Sequence, residues 1–448
     1  MNNNSQLEQE KRDARKSRRR KNQISAYLTL LVFIVVVALG VVTAVNFIMD
    51  KSKDNNVTEN QNKVDDLVAT EEELVVPETD DIEETQDDTQ GDTSLELTEQ
   101  EKLDEIINAS IEVMPIEDKV AGLFVVTPES ITGVQTAIKA GEGTKEALGK
   151  YAVGGIVYFA KNMQSKEQLT EMISNTLTYS KYPLFIAVDE EGGSVNRLAQ
   201  TGLENKVDSA QTIGQTLDSQ NAYAAGTTIG SYLSAYGFNL DFAPVADLSN
   251  VSGSIMEGRS YGSEAATASS FITAMMQGLE DQNVTACLKH FPGIGSSSGD
   301  THQGMIVTER TEADFRAEEF SVFQAGINAG ANMIMMGHIS APALTGDNMP
   351  CSMSKTVVTD ILRGELSFDG VIITDALNMG AIAEYYGADE AAIMALKAGC
   401  DMLLMPEDFE LAYEGVLEAV QNGTISVERI DDSLRRIYRI KYQDKLQE

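Results

Sequence analysis

The chain has 448 residues, of which 42% are hydrophobic, and a formal net charge of −35. This length allows one large domain with attached segments and a sizeable hydrophobic core. Positions 11–21 hold eight Lys or Arg, so the first 21 residues carry a net charge of +5 and the remainder carries −40. A main body this acidic argues against nucleic acid as a partner.

An uncharged apolar segment at residues 22–49 follows the basic residues 1–21. At a rise of about 1.5 Å per helical residue it can cross a hydrocarbon core of about 30 Å. It therefore predicts a single transmembrane helix, with the basic tail in the cytoplasm and the remaining chain outside the cell. A signal peptide cleaved after Ala44 is the alternative, but the apolar stretch exceeds the roughly 7–15 residues usual for one.

Residues 50–100 are rich in Asp, Glu, Thr, Gln and Asn and contain few large apolar residues. This composition predicts a disordered acidic linker that holds a domain away from the membrane. An acidic tail that recognises a specific partner is the alternative.

The three cysteines, Cys287, Cys351 and Cys400, lie in or near apolar segments and lack the spacing of metal ligands. They are typical of small core residues rather than of a disulfide framework. In an exported protein, so little pairable cysteine favours the surface of a Gram-positive bacterium.

Short apolar runs alternate with longer amphipathic stretches in residues 101–448, which we assign to one domain. Eight runs predict strands at 123–126, 154–159, 184–188, 238–244, 286–289, 333–336, 370–374 and 402–405. The stretches between them predict helices at 166–180, 222–236, 265–281, 312–329, 354–363, 388–398 and 427–440. Eight such units favour an α/β fold of the (β/α)8 TIM-barrel type over an open sheet.

Polar residues follow most of the predicted strands. In a barrel of this type the residues after the strands converge on one face, where the chemistry takes place. The residues that we expect to meet there are Asn162, Asp189, Asp247, Lys289, His290, His338 and Asp375.

One of these positions, Asp375, and one loop predict an acid and base system. Asp300 and His302 lie two residues apart in a loop rich in Gly and Ser, and Asp375 follows the seventh predicted strand. Retaining hydrolysis of a sugar needs a carboxylate at the anomeric carbon and a separate proton donor for the leaving oxygen. Asp300 can orient the imidazole of His302, and Asp375 can attack carbon. The alternatives are that Asp375 caps a helix and that the loop is a simple turn.

Residues 289–302 match the pattern Lys-His-Phe-Pro-Gly-x-Gly-x4-Asp-x-His, and the chain resembles glycoside hydrolase family 3 β-N-acetylglucosaminidases over about residues 115–440. Further similarity lies at residues 154–159, 189–193, 241–247, 258–262 and 374–379. The chain departs from the family's pattern at Ser194, Ile294, Ser296 and Ser297.

The resemblance implies that Asp375 is the nucleophile and that His302, paired with Asp300, is the acid/base. It also implies a set of residues that bind the terminal sugar, namely Asp189, Arg259, Lys289 and His290, with Arg197 as a further candidate. Whether His338 is structural or lines the site stays open.

We therefore expect retaining exo-hydrolysis of terminal β-linked N-acetylglucosamine from muropeptide fragments of peptidoglycan. We expect a monomer that needs no metal or organic cofactor, because two protein groups suffice and no cluster of Cys or His ligands is present in the sequence. The alternatives are a phosphorylase that uses phosphate in place of water, substrate-assisted chemistry with Glu190 and Glu191, and a surface protein that binds glycans without turnover.

Overall fold

Eight parallel strands form the centre of the molecule. The computed structural model describes residues 98–249, 251, 253–295, 297 and 304–442. The strands of the described residues are β1 Phe124–Val126, β2 Gly155–Val157, β3 Phe185–Val188, β4 Glu190–Gly192, β5 Val195–Asn196, β6 Leu240–Asp241, β7 Thr285–Phe291, β8 Met333–Met336, β9 Val371–Thr374 and β10 Leu403–Leu404.

The large sheet has the order β10-β1-β2-β3-β6-β7-β8-β9, and each neighbouring pair in it is parallel. A further parallel bridge joins Ile373, in β9, to Met402, which directly precedes β10, and so connects the two ends of this order. The sheet is therefore a nearly closed barrel, which agrees with the predicted α/β architecture. Its strands are continuous apolar runs, such as Phe185–Val188, because they are buried on both faces.

Most of the α-helices lie between consecutive strands along the chain, and others precede β1 or follow β10. The α-helices of the described residues are α1 Glu99–Glu112, α2 Ile116–Ala121, α3 Pro128–Thr132, α4 Glu142–Lys150, α5 Lys166–Tyr179, α6 Arg197–Gln200, α7 Ala210–Gly214, α8 Gln220–Tyr236, α9 Ala265–Glu280, α10 Glu312–Ala317, α11 Glu319–Asn328, α12 Pro342–Thr345, α13 Gly380–Ala383, α14 Ala388–Ala398, α15 Phe409–Gln421 and α16 Val427–Lys441. Short 3₁₀ turns lie at Ala160–Asn162 and Cys351–Met353, and a π-helix spans Thr356–Glu365.

Side-chain caps explain where several helices begin. Thr98 accepts a hydrogen bond from the backbone of Glu101, and the Glu101 carboxylate reaches back to Thr98, so α1 starts two residues inside the segment assigned to the linker. Asp408 caps α15 in the same manner by accepting from the backbone of Leu411. The sequence reasoning had not predicted α15.

Two predicted helices differ in form from the structure. The helix predicted over 312–329 is divided at Glu318, which has φ −116° and ψ −77°. Arg310 contacts the carboxylates of Glu318 and Glu319 at 2.7 Å each, and these contacts lie at the break. The helix predicted over 354–363 is a π-helix instead of an α-helix.

An antiparallel hairpin, β4 with β5, interrupts the barrel after β3 and was not predicted. Its turn requires glycine: Gly192 and Gly193 have φ of +86° and +58°, and a Cβ on Gly193 would lie 2.7 Å from the Cβ of Ser209. The hairpin carries the chain from Asp189 to Arg197 across the carboxyl-terminal ends of the strands.

A buried aspartate, Asp401, connects several elements at the amino-terminal end of the barrel. Its carboxylate accepts hydrogen bonds from Arg363 at 2.6 Å, from Ser433 at 2.7 Å and from the backbone of Ile372 at 3.0 Å. Arg436 lies 3.3 Å from the same carboxylate. This cluster joins the π-helix and α16 to the start of β9.

The predicted transmembrane helix and most of the predicted linker lie outside the described residues. Within the described part of the chain, no helix has both the length and the apolar character that crossing a bilayer requires. The three cysteines, in contrast, are described: each is buried and has a free thiol, as predicted for core residues.

Candidate active site

A cavity of about 290 Å³ opens at the carboxyl-terminal ends of the barrel strands. This is close to the lower end of the roughly 300–1,000 Å³ that small-molecule sites occupy. Six of the eight residues predicted for the site line this cavity: Asp189, Arg197, Arg259, Lys289, His290 and Asp375. The other two, Asp300 and His302, lie outside the described residues.

Strand alternation in the hairpin decides which carboxylates face the cavity. Asp189 and Glu191 both line it, whereas Glu190, between them, is fully buried elsewhere. Glu190 accepts hydrogen bonds from the backbone of Leu198 at 3.0 Å and from the hydroxyl of Tyr232 at 3.0 Å. Burial raises the pKa of Glu190. Through its two hydrogen bonds, this carboxyl joins the hairpin to α6 and α8 on the side away from the cavity.

Lys289 is the centre of a buried ion-pair network. Its Nζ lies 2.9 Å from Asp189 Oδ1 and 2.6 Å from Glu191 Oε1, and its side chain is 3% exposed. Arg259 binds Glu191 in a bidentate manner, at 2.8 Å through Nε and 2.6 Å through Nη2. The network fixes the position of each charged group before any ligand binds.

The charges in this network keep one another ionised. Burial by itself would raise the pKa of Glu191, but Lys289 and Arg259 outweigh it and hold that pKa well below its ordinary value. Burial likewise opposes ionisation of Asp189, and Lys289 and Arg197 again lower the pKa. Lys289 shows the converse, because the two carboxylates outweigh burial and raise its pKa. A carboxyl whose pKa is held low is a poor proton donor, which weighs against substrate-assisted chemistry that uses Glu191.

His290 is oriented by Asp247, which follows β6. The distance from His290 Nδ1 to Asp247 Oδ2 is 2.7 Å, and Asp247 also accepts from the backbone of His290 at 3.1 Å and of Ile294 at 2.6 Å. Because a carboxylate oxygen accepts, Nδ1 is the donor in this pair. The contact leaves Nε2 as the ring nitrogen that can serve a ligand in the cavity.

Asp375 follows β9 directly and does not cap a helix. The next helix, α13, begins at Gly380, with Met379 as its N-cap residue. Asp375 Oδ1 accepts the backbone N–H of Ala376 at 2.7 Å, and the Asp375 backbone donates to Met336 at 2.8 Å. No cation among the described residues forms an ion pair with this carboxylate, in contrast to Asp189 and Glu191. The interpretation of Asp375 as a helix cap is therefore wrong.

His338 is a structural residue beneath the segment that follows Asp375. It is 1% exposed, and its Nε2 lies 3.1 Å from the carbonyl oxygen of Ala376 while its Nδ1 lies 2.8 Å from Ser352 Oγ. A carbonyl only accepts, so Nε2 carries the proton and Nδ1 accepts from Ser352. Burial lowers the pKa of His338, which keeps the ring neutral in this arrangement.

Glu191 and Asp247 make contacts in this site that the sequence does not predict. Glu191 is predicted only as a participant in substrate-assisted chemistry, although its spacing of two from Asp189 would place both side chains on one face of a strand. Asp247 is predicted to lie at this face of the barrel, but no sequence signal pairs it with His290, 43 residues away. Among the described residues, no group of three or more His, Cys, Asp or Glu is arranged to hold a metal ion.

The comparison with protein families matches residues 115–440 to the Glycosyl hydrolase family 3 N terminal domain. Beta-hexosaminidase LpqI of Mycobacterium tuberculosis is 32% identical over 335 residues, which are 72% of this chain and 82% of that protein. Beta-hexosaminidase A of Pseudoalteromonas piscicida is 31% identical over 325 residues, which are 66% of this chain and 54% of that protein.

A similar solved structure is a glycoside hydrolase family 3 beta-N-acetylglucosaminidase from Paenibacillus sp. str. FPU-7, with a TM-score of 0.69 and 32% identity. The match covers 75% of this chain and 64% of that one, so the chain spans only part of this relative, as it does of the Pseudoalteromonas protein. The family match covers well over half of the sequence and includes every site residue described above. The chain therefore belongs to glycoside hydrolase family 3.

Proposed function

We propose that the chain is a retaining exo-β-N-acetylglucosaminidase that removes terminal β-linked N-acetylglucosamine from muropeptide fragments of peptidoglycan. The observation that carries the proposal is the division of charge in one cavity. Asp189 and Glu191 are neutralised by cations, whereas Asp375 faces the same cavity with a backbone N–H as its hydrogen-bond donor. A carboxylate that no cation holds is free to attack carbon.

In the first step, an Asp375 oxygen attacks the anomeric carbon and the bond from that carbon to the leaving oxygen breaks. His302, oriented by Asp300, gives its proton to the leaving oxygen. In the second step, water attacks the same carbon, the bond to Asp375 breaks, and His302 takes a proton from the water. Two displacements retain the configuration of the sugar.

The residues around Lys289 supply the other requirement, which is a firm hold on the terminal sugar. Lys289 and Arg259 offer N–H donors, Asp189 and Glu191 offer acceptors, and His290 Nε2 offers one more polar atom to the sugar hydroxyls. These groups are already fixed by one another, so little side-chain freedom is lost when the sugar binds. The names of the relatives, beta-hexosaminidase and beta-N-acetylglucosaminidase, support this choice of substrate.

Turnover of an aryl β-N-acetylglucosaminide by the full chain tests this proposal. We expect release of the β-anomer of N-acetylglucosamine and covalent labelling of Asp375 by a mechanism-based fluorosugar. Asp375→Ala should lose on the order of 10⁴-fold or more in kcat, because the nucleophile is removed. The matched control is Asp369→Ala, since Asp369 is 77% exposed and lies outside the cavity.

The same assay separates the alternative functions. Release of a sugar 1-phosphate that depends on added phosphate would identify a phosphorylase. Sugar binding without turnover would identify a glycan-binding protein. Labelling of no residue, combined with fast hydrolysis, would contradict the covalent mechanism.

We further propose that residues 22–49 anchor the protein in the cell membrane, with residues 1–21 in the cytoplasm and the catalytic domain outside, as on a Gram-positive cell. The support is the uncharged apolar segment and its basic flank. Protease added to intact cells should then remove the domain while the protein fractionates with membranes. Recovery of the full chain in the soluble fraction would contradict the anchor.

A further inference from the structure

Asp241, the last residue of β6, lies against the hairpin that follows Asp189. It is fully buried and is not among the residues that line the active-site cavity. Its Oδ1 accepts the backbone N–H of Glu190 at 2.8 Å. The Asp241 carboxyl therefore contacts the main chain between Asp189 and Glu191, the two carboxylates that bind Lys289, without reaching the cavity itself.

The ladder between β3 and β6 ends at Asp241. Val188 pairs with Asp241, and the backbone of Phe242 donates to Val188 at 2.9 Å. Beyond this pair the chain leaves the barrel to form β4, and the side chain of Asp241 continues the contact by accepting from Glu190. Because a buried N–H requires an acceptor, the position of Asp241 Oδ1 restricts where the Glu190 backbone can lie.

The contact depends on an accepting oxygen more than on a negative charge. Burial raises the pKa of Asp241 well above its ordinary value, and the charge of nearby Glu190 raises it further. The N–H of Glu190 opposes this shift without reversing it. The second oxygen, Oδ2, is buried and has no hydrogen-bond partner among the described residues. These surroundings favour the uncharged carboxyl, which still accepts a hydrogen bond through Oδ1.

The position of Glu190 decides the direction of its two neighbours. Consecutive side chains of a strand alternate, so Asp189 and Glu191 face the cavity while the Glu190 side chain faces the protein. The Glu190 carboxylate is held by the backbone of Leu198 and the hydroxyl of Tyr232, and its N–H is held by β6. A shift of the backbone at this residue would therefore move both carboxylates that face the cavity.

We propose that Asp241 is a positioning residue for sugar binding: by holding the Glu190 N–H, its Oδ1 sets the positions of Asp189 and Glu191 in the cavity. The inference rests on the proposed function, since it assumes that these two carboxylates bind the terminal sugar. The property that matters is the location of the accepting oxygen, and the charge of the carboxyl is dispensable.

Substitutions at Asp241 separate the location of the oxygen from the charge. Asp241→Asn keeps an accepting oxygen in place and removes the charge, whereas Asp241→Glu keeps the charge and moves the oxygen by one methylene group. Asp241→Ala removes both. In the full chain, calorimetry measures the Kd for N-acetylglucosamine, and turnover of an aryl β-N-acetylglucosaminide gives KM and kcat. Circular dichroism gives the stability of each variant.

We expect Asp241→Asn to keep Kd and KM within about twofold of the wild type, whereas Asp241→Glu and Asp241→Ala should raise both about tenfold. The value of kcat should change less than KM, because Asp375 follows β9 and keeps its hydrogen bond with the backbone of Ala376. A loss of stability alone would not separate KM from kcat in this way.

The matched control is Asn239→Ala. The Asn239 side chain accepts from the backbone of Ile186 at 2.7 Å and donates to that of Leu184 at 2.9 Å. It thus makes the same kind of contact with the same part of the chain, but away from the hairpin and the cavity. This variant should lose stability and keep the wild-type Kd for N-acetylglucosamine.

Wild-type Kd and KM in folded Asp241→Glu would overturn this inference and leave the proposed function standing. Weak binding by Asp241→Asn would also overturn it, because the accepting oxygen would then be insufficient. These two variants decide the question even when Asp241→Ala does not fold. A wild-type chain that neither binds N-acetylglucosamine nor cleaves the aryl substrate would overturn the proposed function and this inference with it.

Discussion

Each end of the barrel holds a buried cluster of carboxylates and cations, and the two clusters serve different purposes. At the amino-terminal end, Asp401 is fully buried and its contacts with Arg363, Ser433 and Ile372 join separate elements of the fold. At the carboxyl-terminal end, Lys289 and Glu191 are almost as buried, but both line a cavity. Similar chemistry is thus structural where protein fills the space and functional where a cavity remains.

The difference lies in whether water can reach a charged group after its partner has been removed. A charge next to the cavity can be rehydrated if its partner is lost, so the fold tolerates the loss better than the activity does. A charge in a filled region cannot be rehydrated, and its loss costs free energy of unfolding. The comparison predicts opposite balances between stability and activity for changes at the two ends.

The largest effect on stability is expected for Asp401→Asn. Asn removes the negative charge that Arg363 and Arg436 share, and the free energy of unfolding should fall by about 3 kcal/mol. Denaturation followed by circular dichroism measures this loss, while kcat/KM of the folded variant should stay near the wild-type value. Asp369→Asn is the matched control, because Asp369 also lies near Arg436, at 3.5 Å, but is 77% exposed. Equal losses in the two variants would remove the distinction between buried and exposed positions.

Glu191→Gln should show the reverse balance. It leaves Lys289 and Arg259 without one of their negative partners, which misplaces the donors that we propose hold the sugar. We expect kcat/KM to fall on the order of 30-fold, with a loss of only about 1 kcal/mol in the free energy of unfolding. Glu410→Gln serves as the control, since Glu410 also contacts a lysine but is 61% exposed. A large loss of stability with unaltered kinetics would assign Glu191 to the fold instead.

The smallest effect is expected at Glu280, a half-buried carboxyl at the end of α9 whose hydrogen-bond donor is the neutral amide of Asn332. Burial raises the pKa of Glu280 to about 7. Since the folded state favours the protonated form, the wild type loses stability as pH rises from the unfolded pKa, near 4.5, through about 7.

Glu280→Gln lacks this titration. Relative to the wild type, the variant should gain about 1–2 kcal/mol between pH 5 and pH 8 in parallel urea denaturation. A difference between the two proteins that stays constant with pH would show that Glu280 is already ionised in the fold. The result extends the comparison to a half-buried carboxyl that forms no ion pair with a described residue.

The alternation of apolar runs and amphipathic stretches was sufficient to predict the barrel. Strand β8 and helix α14 have the predicted bounds, and the other predicted strands differ by a few residues at their ends, because hydrogen bonding and not hydropathy determines where a strand stops. The hairpin of β4 and β5 was missed since its residues, Glu-Glu-Gly and Val-Asn, carry no apolar signal. Its turn depends on two glycines whose conformation appears only in three dimensions.

The site was predictable to the extent that its residues follow strands. Asp189, Lys289 and Asp375 were placed at strand ends, and a barrel brings such positions together. The pairing of Asp247 with His290 depends on tertiary contact across two strands and left no local pattern. The sequence leaves two roles open for His338, structural or site-lining, because its contact is with a carbonyl oxygen, which every residue has.

The hairpin has one more consequence, for how this site can change. Asp189 and Glu191 face the cavity, and Glu190 faces the protein, because a strand alternates its sides. Deleting one residue from this strand would exchange the two orientations. A carboxyl suited to the interior would then face the cavity, and a carboxyl suited to ion pairing would be buried. Lengthening the turn by two residues would preserve both orientations. We therefore expect insertions and deletions in this hairpin to change its length by two residues at a time.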